Sequence, residues 1–417
     1  MRIAFDGTTL TPGRTGVGYY TEHLLQHLAR EVAATGDEIV VVSNQPIDTE
    51  LPLPPHVRVH EGHRFPVRIG WMQMRAQRAL DAVRPDVAHF TNGMMPIGSP
   101  VSTIVTVHDM SLRLYPQCHP VRRLLLNRPL MHIAIRQAAA IVTVSDSARR
   151  DLLRFHGIPA DRVSVVHEAA SPAFRPITDR AWLDRVRSRY GLPSRFVLYV
   201  GTIEPRKNLP RLMKAFAEAR RRGLPHHLVC VGPYGWSSRD LAGRIDQLGI
   251  RDAVHFTGYA PFEDLPVIYN LGDFFVFPSL YEGFGLPVVE AMASGLPVIT
   301  SNTSSLGEIA ADAACTIDPT NTDAMADAMM NVATDEALRR DLSDRGLLRA
   351  QAFSWTQTAK EMLAVYHRVA LAADLSAVAL AKAEASAKAA AAAPVTAGAI
   401  DNADSVPVKS MTRGRSI

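Results

Sequence analysis

The stretch DFFVFPSLYEGFGLPVVEAMASGLPVITS, residues 273–301, decides the fold. Its first apolar run reads as a buried strand that stops at Pro278. Glu282, Gly283, Phe284 and Gly285 then make a turn, LPVVEAMASG carries helical spacing, and LPVITS begins a second strand. The unpaired N–H groups of the helix's first turn would point out of the strand's carboxyl end, where they form an anion site. Gly283 and Gly285 let backbone come close to a ligand. Glu282 in the loop and Glu290 about one turn into the helix are acceptors placed on either side of that site.

The same alternation extends in both directions. Upstream lie RIAFD, EIVVVS, VRVHE, DVAHF, STIVTVHD, AAIVTVSD and RVSVVHEA, with amphipathic stretches such as 17–31 and 71–83 between them. After Pro176 the pattern restarts with RFVLYVGT, HHLVCVGP, AVHFTG, DFFVFPS, LPVITS and ACTIDP. Two such series predict an α/β protein of two doubly wound, Rossmann-like domains facing across a cleft. We expect domains at 1–175 and 176–353, a helix at 354–373 with Ser354 as its N-cap, and an alanine-rich tail at 374–417 that is a frayed helix or disordered. Ligands of such sheets bind at the carboxyl ends of strands, so the cleft is the expected site.

The chain has 417 residues, enough for two cores. Cys118, Cys230 and Cys315 are too scattered for a disulfide framework or a zinc site, which fits a reducing cytoplasm. MRIAFDGTTL has no signal-peptide pattern, and the absence of eighteen uninterrupted apolar residues predicts no membrane span. The formal net charge is +4, but its placement says more, because residues 110–145 hold five arginines and no acid. Arg122 and Arg123 belong to that segment, which suits an anionic surface. No interleaved aromatics or known motif point to nucleic acid.

Three further segments carry candidate chemistry. In YVGTIEPRKNLPRLMKAF a strand ends in a loop bearing Glu204, Arg206 and Lys207, with Asn208 as expected N-cap and Pro210 in the first turn of a helix. Adjacent Arg and Lys at a strand end suit a diphosphate clamp that needs no metal. STIVTVHDMSLRLYP ends a strand in His108 and Asp109, candidates to orient a substrate hydroxyl. GRTGVGYY places Gly16 and Gly18 before a helix. No D-x-D pair, no G-x-x-x-x-G-K-[ST] loop and no His/Cys cluster of metal spacing occurs, so we expect no metal and no cofactor.

Glu282-Gly-Phe-Gly-Leu-Pro-Val-Val-Glu290 resembles the E-x7-E motif of the GT-B, family 4 (group 1) retaining glycosyltransferases, of mannosyltransferase-like type. GTIEPRKNLPRLMKAF is similar to that family's diphosphate segment and VHDMSLRLYP to its N-domain histidine segment. The resemblance spans about residues 1–370. It implies that Glu282 contacts the donor sugar, with Phe284, Gly285 and Leu286 nearby, and that Glu290 bonds the ribose. Arg206 and Lys207 would hold the diphosphate, Gly16 would sit near it, and His108 would lie beside the transferred sugar. The helix from Trp355 would cross back onto the first domain.

On this resemblance the expected activity is transfer of a hexose, mannose from GDP-mannose in the favoured case, to a surface-polysaccharide or lipid-linked acceptor. Residues 258–265 are the expected base-reading segment. The arginine-rich segment 110–145 would bring a cytoplasmic protein to the inner face of an anionic membrane. Two other functions share the architecture: a nucleotide-sugar epimerase, and a non-catalytic nucleotide-sugar-binding partner.

Overall fold

The computed structural model describes residues 1–12, 16–49, 52–61, 65–235 and 241–392. The chain forms two compact units, Met1–Leu371, which holds both sheets, and Ala372–Ile417.

Among the described residues the first sheet has seven strands: β1 (Arg2–Asp6), β2 (Glu38–Ser43), β3 (Val57–Glu61), β4 (Val87–Phe90), β5 (Ser102–Val107), β6 (Ala140–Thr143) and β7 (Val163–Val165). The second has six: β8 (Phe196–Val200), β9 (His227–Val231), β10 (Val254–Gly258), β11 (Phe274–Phe277), β12 (Val298–Ser301) and β13 (Cys315–Ile317). All named pairings are parallel, in the orders β3-β2-β1-β4-β5-β6-β7 and β10-β9-β8-β11-β12-β13. The runs expected from the sequence are these strands. They are legible because helices cover both faces, so central strands such as FVLYV and FFVF are buried along their whole length.

The strand order reverses between β1 and β4 in one sheet and between β8 and β11 in the other. These are the points where connections diverge and leave a crevice at the carboxyl ends. The loops after β5, β7, β8 and β11 meet at those ends, through His108–Glu168, Met110–Tyr281 and Arg206–Glu282 contacts.

The helix Trp355–Ala392 returns to the first sheet. Trp355, Met362 and Tyr366 are buried in one cluster with Tyr20, Leu24, Val32 and Ile39 of the first domain and Phe284 and Val289 of the second. The ring of Trp355 stacks on His23 and the Tyr366 hydroxyl bonds His89. Ser354 precedes this helix and its carbonyl accepts from the Thr358 N–H. The helix continues past the expected end to Ala392, as its alanines favour. The rest of the tail lies outside the described residues. One helical run, Glu336–Ser386, is long and apolar enough by composition to cross a membrane, against the expectation of none. Its apolar part carries leucines and valines as well as alanines; Leu371, Leu375 and Val378 are exposed there, while Trp355, Met362 and Tyr366 are core residues.

Two local expectations need correction. The single helix expected at 71–83 is two, Arg68–Met74 and Ala76–Val83, broken at Arg75. The buried stripe of Met72, Ala76, Ala79, Leu80 and Val83 runs through the break, so periodicity alone joins them. Asn208 does not cap its helix by side chain, because it sits at φ 63° in the left-handed region. Its amide instead donates to the carbonyls of Pro278 and Pro319, tying the loop after β8 to those after β11 and β13.

Candidate functional site

The loop after β11 is built against the first domain. A β-carbon on Gly283 would stand 1.9 Å from the His108 carbonyl oxygen, so only glycine fits. The Gly283 carbonyl accepts from the Ser145 hydroxyl at 2.6 Å. Next to it, the Tyr281 hydroxyl donates to Asp151 and accepts from the Met110 N–H. Glu308 of the second domain takes the N–H groups of Asp146 and Ser147 at 2.9 and 2.8 Å, capping the helix Asp146–His156. The two domains thus meet through the loop that carries Glu282.

Glu282 is buried, and both its oxygens are occupied by cations. Oε2 accepts from Arg206 and Oε1 from Lys207, each at 2.7 Å. Burial works to raise its pKa, but the two positive charges overcome it and hold the carboxyl at about 2. Arg206 also donates to Glu204 at 2.9 Å and to the Tyr281 carbonyl at 2.5 Å. Lys207 has the face of Phe277 4.8 Å away. The adjacent Arg206 and Lys207 and, 75 positions later, Glu282 are one cluster.

Glu290 lies one turn into the helix Leu286–Ala293 and accepts from the Tyr269 hydroxyl at 2.9 Å. Burial raises its pKa to about 7, and the Glu168 charge adds to that. The anion site expected at this helix is thinner than the sequence suggests. Pro287 has no N–H and the Val288 N–H returns to Gly285, which leaves the N–H groups of Gly285 and Leu286 in that turn. Gly285 needs its φ of 112°, where a β-carbon would also press on Leu306.

The Phe284 side chain is buried beside the rings of His167 and Phe353. Leu286 packs partly buried against the same cluster. Gly16 opens the helix Gly16–Thr35 and is exposed, with open space where a β-carbon would stand. The same turn faces the cleft, since Tyr19 reaches Phe262 and Tyr20 reaches His108.

His108 follows β5 as expected, but its partner is Glu168, a residue the sequence reading did not single out. Nδ1 lies 3.1 Å from Glu168 Oε1 and Nε2 lies 2.9 Å from the Thr91 carbonyl. Asp109 is turned to the Ser111 N–H at 2.8 Å instead. The rule that marked His108, a polar residue just past a strand, applies equally to Glu168 after β7.

Among the described residues Asp146, His167 and Glu308 bring ligand-type atoms within 4.8 Å of one another. Both oxygens of Glu308 already take backbone N–H groups, which is the work of a helix cap. None of the three cysteines is in a disulfide.

Comparison with known proteins fits this arrangement. Residues 183–349 match the family described as Glycosyl transferases group 1, and residues 15–173 match Glycosyltransferase Family 4. The O-antigen chain mannosyltransferase B of Escherichia coli is 32% identical over 88% of this chain and 99% of its own length. The Escherichia coli serotype-specific mannosyltransferase WbdA is 30% identical over 67% of this chain, which spans 36% of that protein. Among solved structures, sucrose-phosphate synthase from Thermosynechococcus elongatus superposes with a TM-score of 0.72 at 22% identity, covering 89% of this chain and 99% of that one. That likeness is one of fold, and the fold is GT-B.

Proposed function

The chain belongs to the family 4, group 1 glycosyltransferases, and from that premise we propose that it transfers mannose from a nucleotide diphosphate sugar to a polysaccharide or lipid-linked acceptor, with retention of configuration. The observation that carries the reading is the cluster of Arg206, Lys207 and Glu282 at the carboxyl ends of β8 and β11. Two cations beside a fixed carboxylate suit a diphosphate leaving group next to a sugar hydroxyl. They would supply the positive charge that a metal supplies elsewhere, which supports metal-independent transfer. The full-length likeness to an O-antigen mannosyltransferase supports mannose, and with it GDP-mannose.

Retention is carried over from the family, and the state of the carboxylates supports a route to it without a covalent glycosyl-enzyme. Glu282 is locked between Arg206 and Lys207, Glu290 is bonded to Tyr269, and Asp109 is turned to Ser111. None is a free nucleophile. The acceptor hydroxyl would then attack on the face the diphosphate leaves, and the leaving phosphate oxygen would take its proton. Residues 258–265 suit the base, because Phe262 in that loop packs against Tyr19 and Phe174.

The acceptor side of the reading includes an anionic membrane. On the helix Val121–Gln137, Val121, Leu125 and Leu126 are 69%, 70% and 43% exposed beside the exposed Arg122, Arg123 and Arg128. Exposed apolar groups interleaved with cations suit a charged bilayer surface. Replacing Arg122 and Arg123 by Gln should abolish co-sedimentation with phosphatidylglycerol vesicles, and unchanged binding would remove the membrane from the account.

The reading is tested by incubating the protein with GDP-mannose and candidate mannosyl acceptors in EDTA, then assigning the new anomeric centre by NMR. An α-linked product supports it. An inverted product sinks retention, and isomerised nucleotide sugar formed without acceptor would point to an epimerase.

A further inference from the structure

The two ring nitrogens of His108 both face groups that accept. Nε2 lies 2.9 Å from a backbone carbonyl, that of Thr91, which has no proton to give. Nδ1 lies 3.1 Å from Oε1 of Glu168, which when ionised also only accepts. A neutral imidazole has one N–H and can satisfy one of the two. Both contacts are satisfied by the imidazolium.

We infer that Glu168 is a positioning residue of the transfer site, which holds His108 as an oriented imidazolium so that the histidine contributes a fixed positive charge and takes no proton from the acceptor. The inference rests on the glycosyl-transfer reading for its role in turnover, and on geometry alone for the charge.

The surroundings of the pair agree. Glu168 is buried three residues past β7, on the segment that leads into the second domain. Tyr20, from the helix Gly16–Thr35, meets the His108 ring edge to face at 4.7 Å, and burial keeps its phenol neutral. His89 of β4 is fully buried between the Tyr366 and Thr106 hydroxyls, with its pKa lowered by burial to about 3, so it adds no charge. Asp109 favours a cation at His108. From the second domain, Gly283 packs on the His108 carbonyl, and Glu290 lies in the field of Glu168. Burial opposes a charge on His108, and the Glu168 carboxylate overcomes it and raises its pKa. One buried carboxylate therefore acts on a residue in each wall of the cleft.

The test is a long-range proton–nitrogen NMR correlation on full-length protein labelled with 15N-histidine, with the His108 signals identified by their loss in His108→Asn. At pH 7.5 both ring nitrogens of His108 should carry protons. In Glu168→Gln that pattern should give way to one neutral tautomer, and kcat should fall at least tenfold with the donor KM little changed. Glu168→Asp should restore part of each. A singly protonated His108 in the wild-type protein would overturn the inference, as would a Glu168→Gln enzyme with both the signals and kcat intact. If Glu168→Gln does not fold, the wild-type spectrum and Glu168→Asp still decide. Failure of the glycosyl-transfer reading would look different, as a wild-type protein with no turnover and an unchanged His108 spectrum.

Discussion

The ammonium of Lys207 lies 2.7 Å from Oε1 of Glu282, so the proposed diphosphate clamp and the proposed sugar-side carboxylate are one ion pair. A donor that uses Lys207 has to share it with Glu282 or take it away. The pair places the cation at the end of β8 and neutralises it with a residue 75 positions later in sequence. This relationship fixes what substitutions in the cleft should do.

Lys207→Ala should lower kcat by about a hundredfold to a thousandfold, the usual loss when one charge-stabilising donor of a transition state is removed. The fold should survive, because Arg206 still holds Glu282. Steady-state kinetics with a parallel melting curve separates the two effects. Near-normal turnover would place Lys207 outside the site.

Glu282→Gln should cost stability as well as activity. Breaking a buried ion pair by removing one partner costs roughly 3–5 kcal/mol. The pH dependence gives a second signature. The Glu282 carboxyl is held at about 2 against an ordinary 4.5, so its contribution is present above the ordinary value and is lost as pH falls through that window. Denaturant titrations between those limits should show a stability slope in the wild-type protein that is smaller in the variant.

Glu290 shifts the other way. With its carboxyl raised to about 7, its ionisation in the native protein falls near neutrality, and stability from this group declines as pH rises from 4.5 toward 7. If the ionised form receives the ribose hydroxyls, donor affinity should tighten as pH rises through about 7. Calorimetric titration of the donor at several pH values should find that inflection, and Glu290→Gln should lack it.

Gly283→Ala should disturb the meeting of the domains more than either fold. Its β-carbon would overlap the His108 carbonyl at 1.9 Å, and backbone cannot swing away as a side chain does. We expect a destabilisation of about 1–3 kcal/mol, typical of overpacking, together with a loss of turnover. Wild-type activity would mean that this contact is dispensable to the reaction.

Much of this was legible in the sequence because parallel strands covered on both faces write themselves as apolar runs. The same rule, reading the residue just past each strand, found His108, Arg206, Lys207 and Glu282. It was silent on which of them pair. Glu168 meets His108 from β7, with β6 lying between their strands in the sheet, and no local pattern reports that approach. Asn208 was misread for a different reason. It has the residue type of a cap, but a left-handed backbone turns its side chain elsewhere.

The measurement that tests the central claim most directly is a thermal-shift panel of GDP-, UDP-, dTDP- and ADP-sugars in EDTA, run on the wild-type protein and on Lys207→Ala. A ligand that binds only the folded state at a hundred times its Kd stabilises by about 2.7 kcal/mol, enough to move the melting point by several degrees. The account predicts a shift with GDP-mannose that is lost in Lys207→Ala. No shift with any of the sugars, or one undiminished in the variant, would contradict it.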